Sequence, residues 1–258
     1  MKRVKSIYML VAILGLLGFA SASQAQGIAG TKHNLSSTST QTIRTTDGTG
    51  EICVFCHTPH GADTAVAAPL WNRAQTAATF TVYSSSSLDS IPGQPTGTSL
   101  ACLSCHDGTV AFDAIRNLPG SGGFNAAAPS AGWTFVGADP GNLMPAAGIT
   151  NLGTDLSNDH PISMLYDSAR SPSSGSASQT AGFRLAVTTG TKRCVGNPVP
   201  ADCNVDGALP LSSDSIGSGA NYVQCTSCHD PHRSDTPTFL RKSNVGSALC
   251  LTCHVKDG

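Results

Sequence analysis

Cysteine and histidine carry the chemistry this chain can do. It holds ten Cys and eight His in 258 residues. Eight of the cysteines fall in one five-residue pattern that occurs four times. The copies are Cys53-Val54-Phe55-Cys56-His57, Cys102-Leu103-Ser104-Cys105-His106, Cys225-Thr226-Ser227-Cys228-His229 and Cys250-Leu251-Thr252-Cys253-His254. On a helical turn, residues three and four apart share a face. Two thiols so placed reach the two vinyl groups of one haem, and the His after the second thiol puts a ring nitrogen on the iron. This is the spacing of c-type haem attachment. Four covalently bound haem c groups are expected, with thioether bonds to Cys53, Cys56, Cys102, Cys105, Cys225, Cys228, Cys250 and Cys253. The proximal iron ligands are then His57, His106, His229 and His254. Paired cysteines can also bind zinc, form disulfides or act as redox pairs. None of these requires a His directly after the second Cys in every copy.

Four histidines remain: His33, His60, His160 and His232. Four irons need four further ligands to be six-coordinate. Methionine can serve as well, but only Met144 and Met164 lie beyond the first 25 residues. The count favours two imidazoles on every iron, with these four His as distal ligands. His60 and His232 share a local pattern, Cys56-His57-Thr58-Pro59-His60 and Cys228-His229-Asp230-Pro231-His232. Proline fixes its own φ and disfavours helix before it, so the chain turns there. The second His cannot easily reach the far face of the haem held by the first, so it is expected on a neighbouring haem. His160 stands in Asp159-His160-Pro161. Irons with six ligands have no open site for substrate, so the expected activity is outer-sphere electron transfer rather than catalysis. Two imidazoles also favour a lower potential than His/Met.

The elements that must hold these groups are faint in the sequence. Charged residues are 12% and aromatics 5%, while Gly counts 27 and Pro 15. Little large apolar area is available to offset the entropy of ordering. The expected fold is mostly irregular coil with few short helices and strands, a multihaem cytochrome c packed around a haem chain. Residues 26–50 read as an extended arm carrying His33. Residues 80–83 and 181–189 are strand candidates by alternation. A helical turn is expected in 99–115, and 243–254 reads as the clearest helix. Residues 119–160 read as irregular and 168–180 as a Ser-rich surface loop. Trp71 is expected against a haem face or the core. Cys194 and Cys203 are left over, and a disulfide closing their loop is the natural reading in an oxidising compartment. The long interval between the second and third pentapeptides allows two lobes. One domain is preferred, because four groups in this length leave too few residues for separate apolar cores.

The ends and the charge bound the location. Lys2, Arg3 and Lys5 precede an apolar run over 7–20, and Ser23 and Ala25 fit a signal-peptidase site. Residues 1–25 are therefore expected to be a removed signal peptide and 26–258 the exported tetrahaem domain. The run is shorter than the roughly 20 residues of a membrane span. The formal net charge of −1 excludes a generically basic nucleic-acid binder.

The strings EICVFCHTPHG (51–61), APLWNR (68–73), SLACLSCHDGTVA (99–111), SNDHPI (157–162), CTSCHDPH (225–232) and ALCLTCH (248–254) resemble the doubled-CXXCH class of multihaem cytochromes. They look most like the tetrahaem extracellular cytochromes that polymerise into nanowires, of the outer-surface cytochrome E type. The resemblance implies a mostly loop fold, four stacked bis-His haems and head-to-tail subunits, with a histidine of one subunit on a haem of its neighbour. It makes His33 the candidate for that inter-subunit ligand. It pairs His60 with the haem at Cys102/Cys105, His232 with the haem at Cys250/Cys253, and His160 with one of the others. The implied function is a filament subunit carrying electrons at or beyond the cell surface to partner proteins or extracellular acceptors. The alternatives are a monomeric periplasmic tetrahaem shuttle and a multihaem reductase. The shuttle usually shows a lysine-rich docking face, and the reductase usually keeps one open iron. Neither feature is present in the sequence.

Overall fold

A computed structural model describes residues 27–255, apart from 89, 91, 121, 167–181, 197–199, 201–202, 204–206, 216–218 and 220. The expected leader at 1–25 and the Ser-rich loop at 168–180 lie outside the described residues. Regular structure is sparse. The longest element is helix α1, Gly97–His106. Helices α2, Cys225–Cys228, and α3, Cys250–Cys253, are single turns, and Cys53–Phe55 is a 3-10 turn. Every copy of the pentapeptide thus begins on a helical turn, which is what brings its two thiols to one side.

Helix α1 starts at a glycine with φ 54°, where a Cβ would strike the Ser213 carbonyl and the Gln224 side chain. It ends at Gly108, φ 71°, whose amide donates to the Cys105 carbonyl. Helix α2 packs beside it. Thr98 and Thr226 join hydroxyls at 2.7 Å, and Ser99 Oγ donates to Gln224 Oε1 and accepts from the Cys225 amide. The second and third pentapeptides are therefore neighbours in space despite their separation in sequence.

Strands are mostly two residues long. They are β1 Arg44–Thr45, β2 Thr81–Val82, β3 Phe135–Val136, β4 Asp155–Leu156 and β5 Met164–Leu165. The longer ones follow: β6 Ala186–Thr189, β7 Lys192–Val195, β8 Leu209–Leu211, and then the short β9 Tyr222–Val223. β1 pairs β3 and β5 pairs β9, both antiparallel, while β2 pairs β4 in parallel. β6, β7 and β8 form one antiparallel sheet. Gly190 (φ 60°) and Thr191 make the two-residue turn between β6 and β7. Cys194 and Cys203 are joined by a disulfide beside this sheet, Cα atoms 5.5 Å apart.

Apolar packing is divided into four small clusters rather than one core. The largest joins Val54, Phe55, Phe112, Ile115, Phe135 and Met144, with Cys56 and Cys105 against it. Another joins Met164, Tyr166, Val195, Leu211 and Val223, with Cys253 against it. Trp71 lies with Val66 and Ala101. Three of these clusters have an attachment cysteine packed against them.

Two expectations need correction. The segment 27–50 is not an extended arm. Thr31, Asn34, Ser36 and Thr45 are buried, and their side chains bond locally, Asn34 to the Ala29 carbonyl and Ser36 to Asn34. Thr45 Oγ1 and Asp47 fasten the segment to Thr134. Such side-chain bonds hold a polar segment down without apolar burial. Nor is 243–254 the clearest helix. Gly246 and Ser247 have φ near +62° and +63°, which leaves only a 3-10 turn, Val245–Ser247, and α3.

Candidate functional site

The four pentapeptides form a series. Arg73 acts on both Cys56 and Cys105, which links the first pair to the second. Ser99 on α1 meets Gln224 and the Cys225 amide where the second and third pairs adjoin. Cys228 and Cys250 influence each other between the third and fourth. None of the eight is in a disulfide. Burial raises the Cys56 thiol to about 11 and the Cys253 thiol to about 12. The Cys102 thiol is raised first by the neighbouring Cys225 thiol, then by burial. These sulfurs are held neutral in apolar surroundings, which suits groups destined to become thioethers.

The histidines are prepared as ligands through one nitrogen. His57 Nδ1 lies 2.6 Å from the Pro69 carbonyl, His106 Nδ1 2.7 Å from that of Thr150, and His229 Nδ1 2.8 Å from that of Thr238. His160 Nδ1 does the same with Pro161, and His33 Nδ1 with Pro231. A carbonyl on Nδ1 keeps the proton there and leaves the Nε2 lone pair for a metal. Desolvation brings His33 down to about 4, with His106, His232 and His229 adding to it against the Pro231 bond. Burial lowers His106 and His254 as well. Neutral imidazole is the form a metal takes.

Three imidazole pairs face one another. His57 and His232 have ring centres 6.0 Å apart, His33 and His106 6.2 Å, and His160 and His254 6.4 Å. A metal–imidazole bond is about 2.0–2.1 Å and each ring centre lies about 1.1 Å behind its nitrogen, so two rings on one ion stand about 6.2 Å apart. The interplanar angles are 20°, 67° and 73°. Exposed apolar residues sit on the backbone that adjoins the proximal ligands: the Leu70 carbonyl accepts from the Thr58 amide, the Leu152 amide donates to the His106 carbonyl, and Ile149, 94% exposed, precedes the Thr150 that takes His106 Nδ1. The donor sets and their apolar rims fit haem c, with Cys pairs for the ring and two imidazoles for the iron.

These placements correct the expected pairing. His33 stands opposite His106 in its own chain, with Phe239 stacked on it at 4.5 Å. The folded segment 27–50 carries it inward. His60 does not face His106, and His232 faces His57 rather than His254. His160 faces His254. The cause is tertiary: the Pro231 turn lies against His33, which places His232 over the first pentapeptide. Among the described residues, no imidazole stands at this distance from His229 or from His60.

The Trp71 ring meets His57 edge-on at 6.4 Å. Two polar residues with no role in the sequence reading also shape the site. Arg73, 1% exposed, donates to carbonyls of the first and second pentapeptides, Phe55 and Ser104. Gln224, 1% exposed, accepts from Ser99 and Ser163. Isolated polar residues have no period or motif to mark them in sequence.

Residues 219–258 match the family model of the doubled CXXCH motif. No curated protein matches the chain. No helix among the described residues is long and apolar enough to cross a membrane.

Proposed function

We propose that this multihaem c-type cytochrome, an electron carrier, holds four haems and passes electrons along them as the repeating subunit of an extracellular filament. Each haem takes its two thioethers from one Cys pair. Three irons take both imidazoles from one chain: His57 with His232, His106 with His33, and His254 with His160. Haem supplies the redox chemistry when bound; the chain sets the spacing, excludes water and denies each iron an open position.

The observation that carries the filament reading is the pair left over. His229 is a proximal ligand with no facing imidazole among the described residues. His60 is an exposed imidazole with no proximal ligand opposite it. The backbone of His60 is nevertheless fixed, since its carbonyl accepts from Thr58 Oγ1 at 2.8 Å and from Asn117 Nδ2 at 2.9 Å. We assign His60 to the His229 iron of the next subunit. Such a heterologous contact generates an open helix wherever its rotation does not close a ring. The exported location and low net charge suit close packing of many copies.

The test is His60→Ala, with haem-staining material sheared from producing cells and imaged by cryo-electron microscopy. Filaments should vanish, leaving monomers with three six-coordinate irons and one high-spin iron. Discrete wild-type particles in which His60 meets His229 of the same chain would make the protein a periplasmic shuttle instead.

A further inference from the structure

Three arginines donate to carbonyls inside the pentapeptides and together serve all four copies. Arg241 Nε donates to the Thr226 carbonyl at 2.7 Å. Arg184 Nε donates to that of Leu251 at 2.9 Å. Arg73 serves the first two copies together: Nη1 reaches Phe55 O and Nη2 reaches Ser104 O, each at 3.5 Å, with shorter bonds to Phe112 O and Ala111 O. The three differ in charge balance. Arg241 is paired with Asp230 at 3.2 Å and is about a quarter exposed. Arg184 is half-buried, so water screens it. Arg73 is 1% exposed, and among the described residues its acceptors are carbonyls alone. Carbonyls take protons of both Nη atoms, Nε is buried without an acceptor, and the full charge stays in place.

We propose that the Arg73 guanidinium sets the redox order of the chain, making the haem at Cys53/Cys56/His57 the easiest to reduce and the haem at Cys102/Cys105/His106 the next. This rests on the tetrahaem reading above. Reduction lowers the charge of an iron centre by one, so an uncompensated cation in a low-dielectric setting favours the reduced form.

Three carboxylates could oppose it. Asp230 Oδ1 stands 3.5 Å from Nδ1 of His232, the second ligand of the first site, but Arg241 balances its charge at 3.2 Å. Asp107, 4% exposed, directly follows His106 and accepts only from the Thr109 amide and hydroxyl among the described residues, so the second site gains less than the first. Asp113 is fully buried but is held by Ser130 Oγ, the Gly132 and Trp133 amides and Asn142 Nδ2.

The test is spectroelectrochemistry of purified holoprotein, with haem-resolved NMR to assign each potential. Arg73→Gln should shift the reduction equilibrium at the His57 site by tenfold or more toward the oxidised form, 59 mV for one electron. The His106 site should shift by less, and the other two should hold. Arg73→Lys keeps the charge but loses the paired donors, and should retain most of the wild-type value. Equal losses in both variants would mean a purely structural role and overturn the proposal. If Arg73→Gln does not accumulate, the wild-type titration decides, since a His57 site that is not the first to be reduced overturns it too. A haem count by pyridine haemochrome below four would instead break the tetrahaem reading.

Discussion

The stretches 56–60 and 228–232 have the same plan, Cys-His-x-Pro-His, and differ at the central residue, Thr58 against Asp230. Both proximal rings lock Nδ1 onto a carbonyl. The second histidines then diverge. His232 faces His57, and Asp230 Oδ1 accepts from its amide and stands 3.5 Å from its Nδ1. Pro231 adds a carbonyl to His33. In the other copy Thr58 is buried and turns its hydroxyl back onto the His60 carbonyl, leaving the His60 ring outward. One turn thus delivers a ligand inward or outward. The neighbours that pack on it decide which, and Asp at the centre adds an acceptor for the ring that Thr does not.

The comparison breaks most sharply at the histidines themselves. His232→Ala should remove one bis-imidazole signal of four in electron paramagnetic resonance while filaments still form. Filament loss on that change, matching His60→Ala, would erase the distinction between inward and outward ligands. A smaller effect is expected from Asn117→Ala, which deletes the bonds to Thr58 Oγ1 and the His60 carbonyl. Each such bond is worth about 1 kcal/mol, so thermal melting should come earlier and assembly should weaken. Asp230→Asn should cost less, up to about 1 kcal/mol, because its pair with Arg241 is partly exposed.

The smallest effect concerns Asp47. The amide and hydroxyl of Thr134 hold its carboxyl below its usual value of 3.8. Its contribution is full above that pH and is lost as pH falls through the lower folded value. Hydrogen exchange at the Thr134 amide should therefore be protected at pH 5 and lose protection well below pH 3.8. In Asp47→Asn the protection, measured against the intrinsic exchange rate at each pH, should stay constant over that range.

Much of the site was legible because its chemistry is local. Cys-x-x-Cys-His needs only one turn of helix, and each copy has it. The coil-rich fold followed from the shortage of large apolar and charged residues. The hairpin around Gly190 left a partial trace in the alternation of 181–189. Ligand partners were not legible, since His33 meets His106 and His232 meets His57 through chain paths that no local pattern encodes. The segment 27–50 misled for a related reason. Ser, Thr and Asn read as solvent-facing, yet Ser36 and Thr45 are fully buried because each finds a partner. Arg73 was hidden by its own isolation, a single cation whose acceptors come from four separate backbone positions.

The three facing pairs also tie the chain into overlapping spans. One runs from 33 to 106, one from 57 to 232 and one from 160 to 254, so each begins before the previous one has ended. A chain built on a repeated motif can ordinarily be divided between its copies. Here any cut between 33 and 254 severs at least one span, and every pentapeptide except the third depends on a segment beyond its neighbours. The molecule is modular as text but indivisible as an object. Shuffling or excising one Cys-x-x-Cys-His unit would orphan a histidine elsewhere, so such a chain changes by substitution in place rather than by gain or loss of repeats.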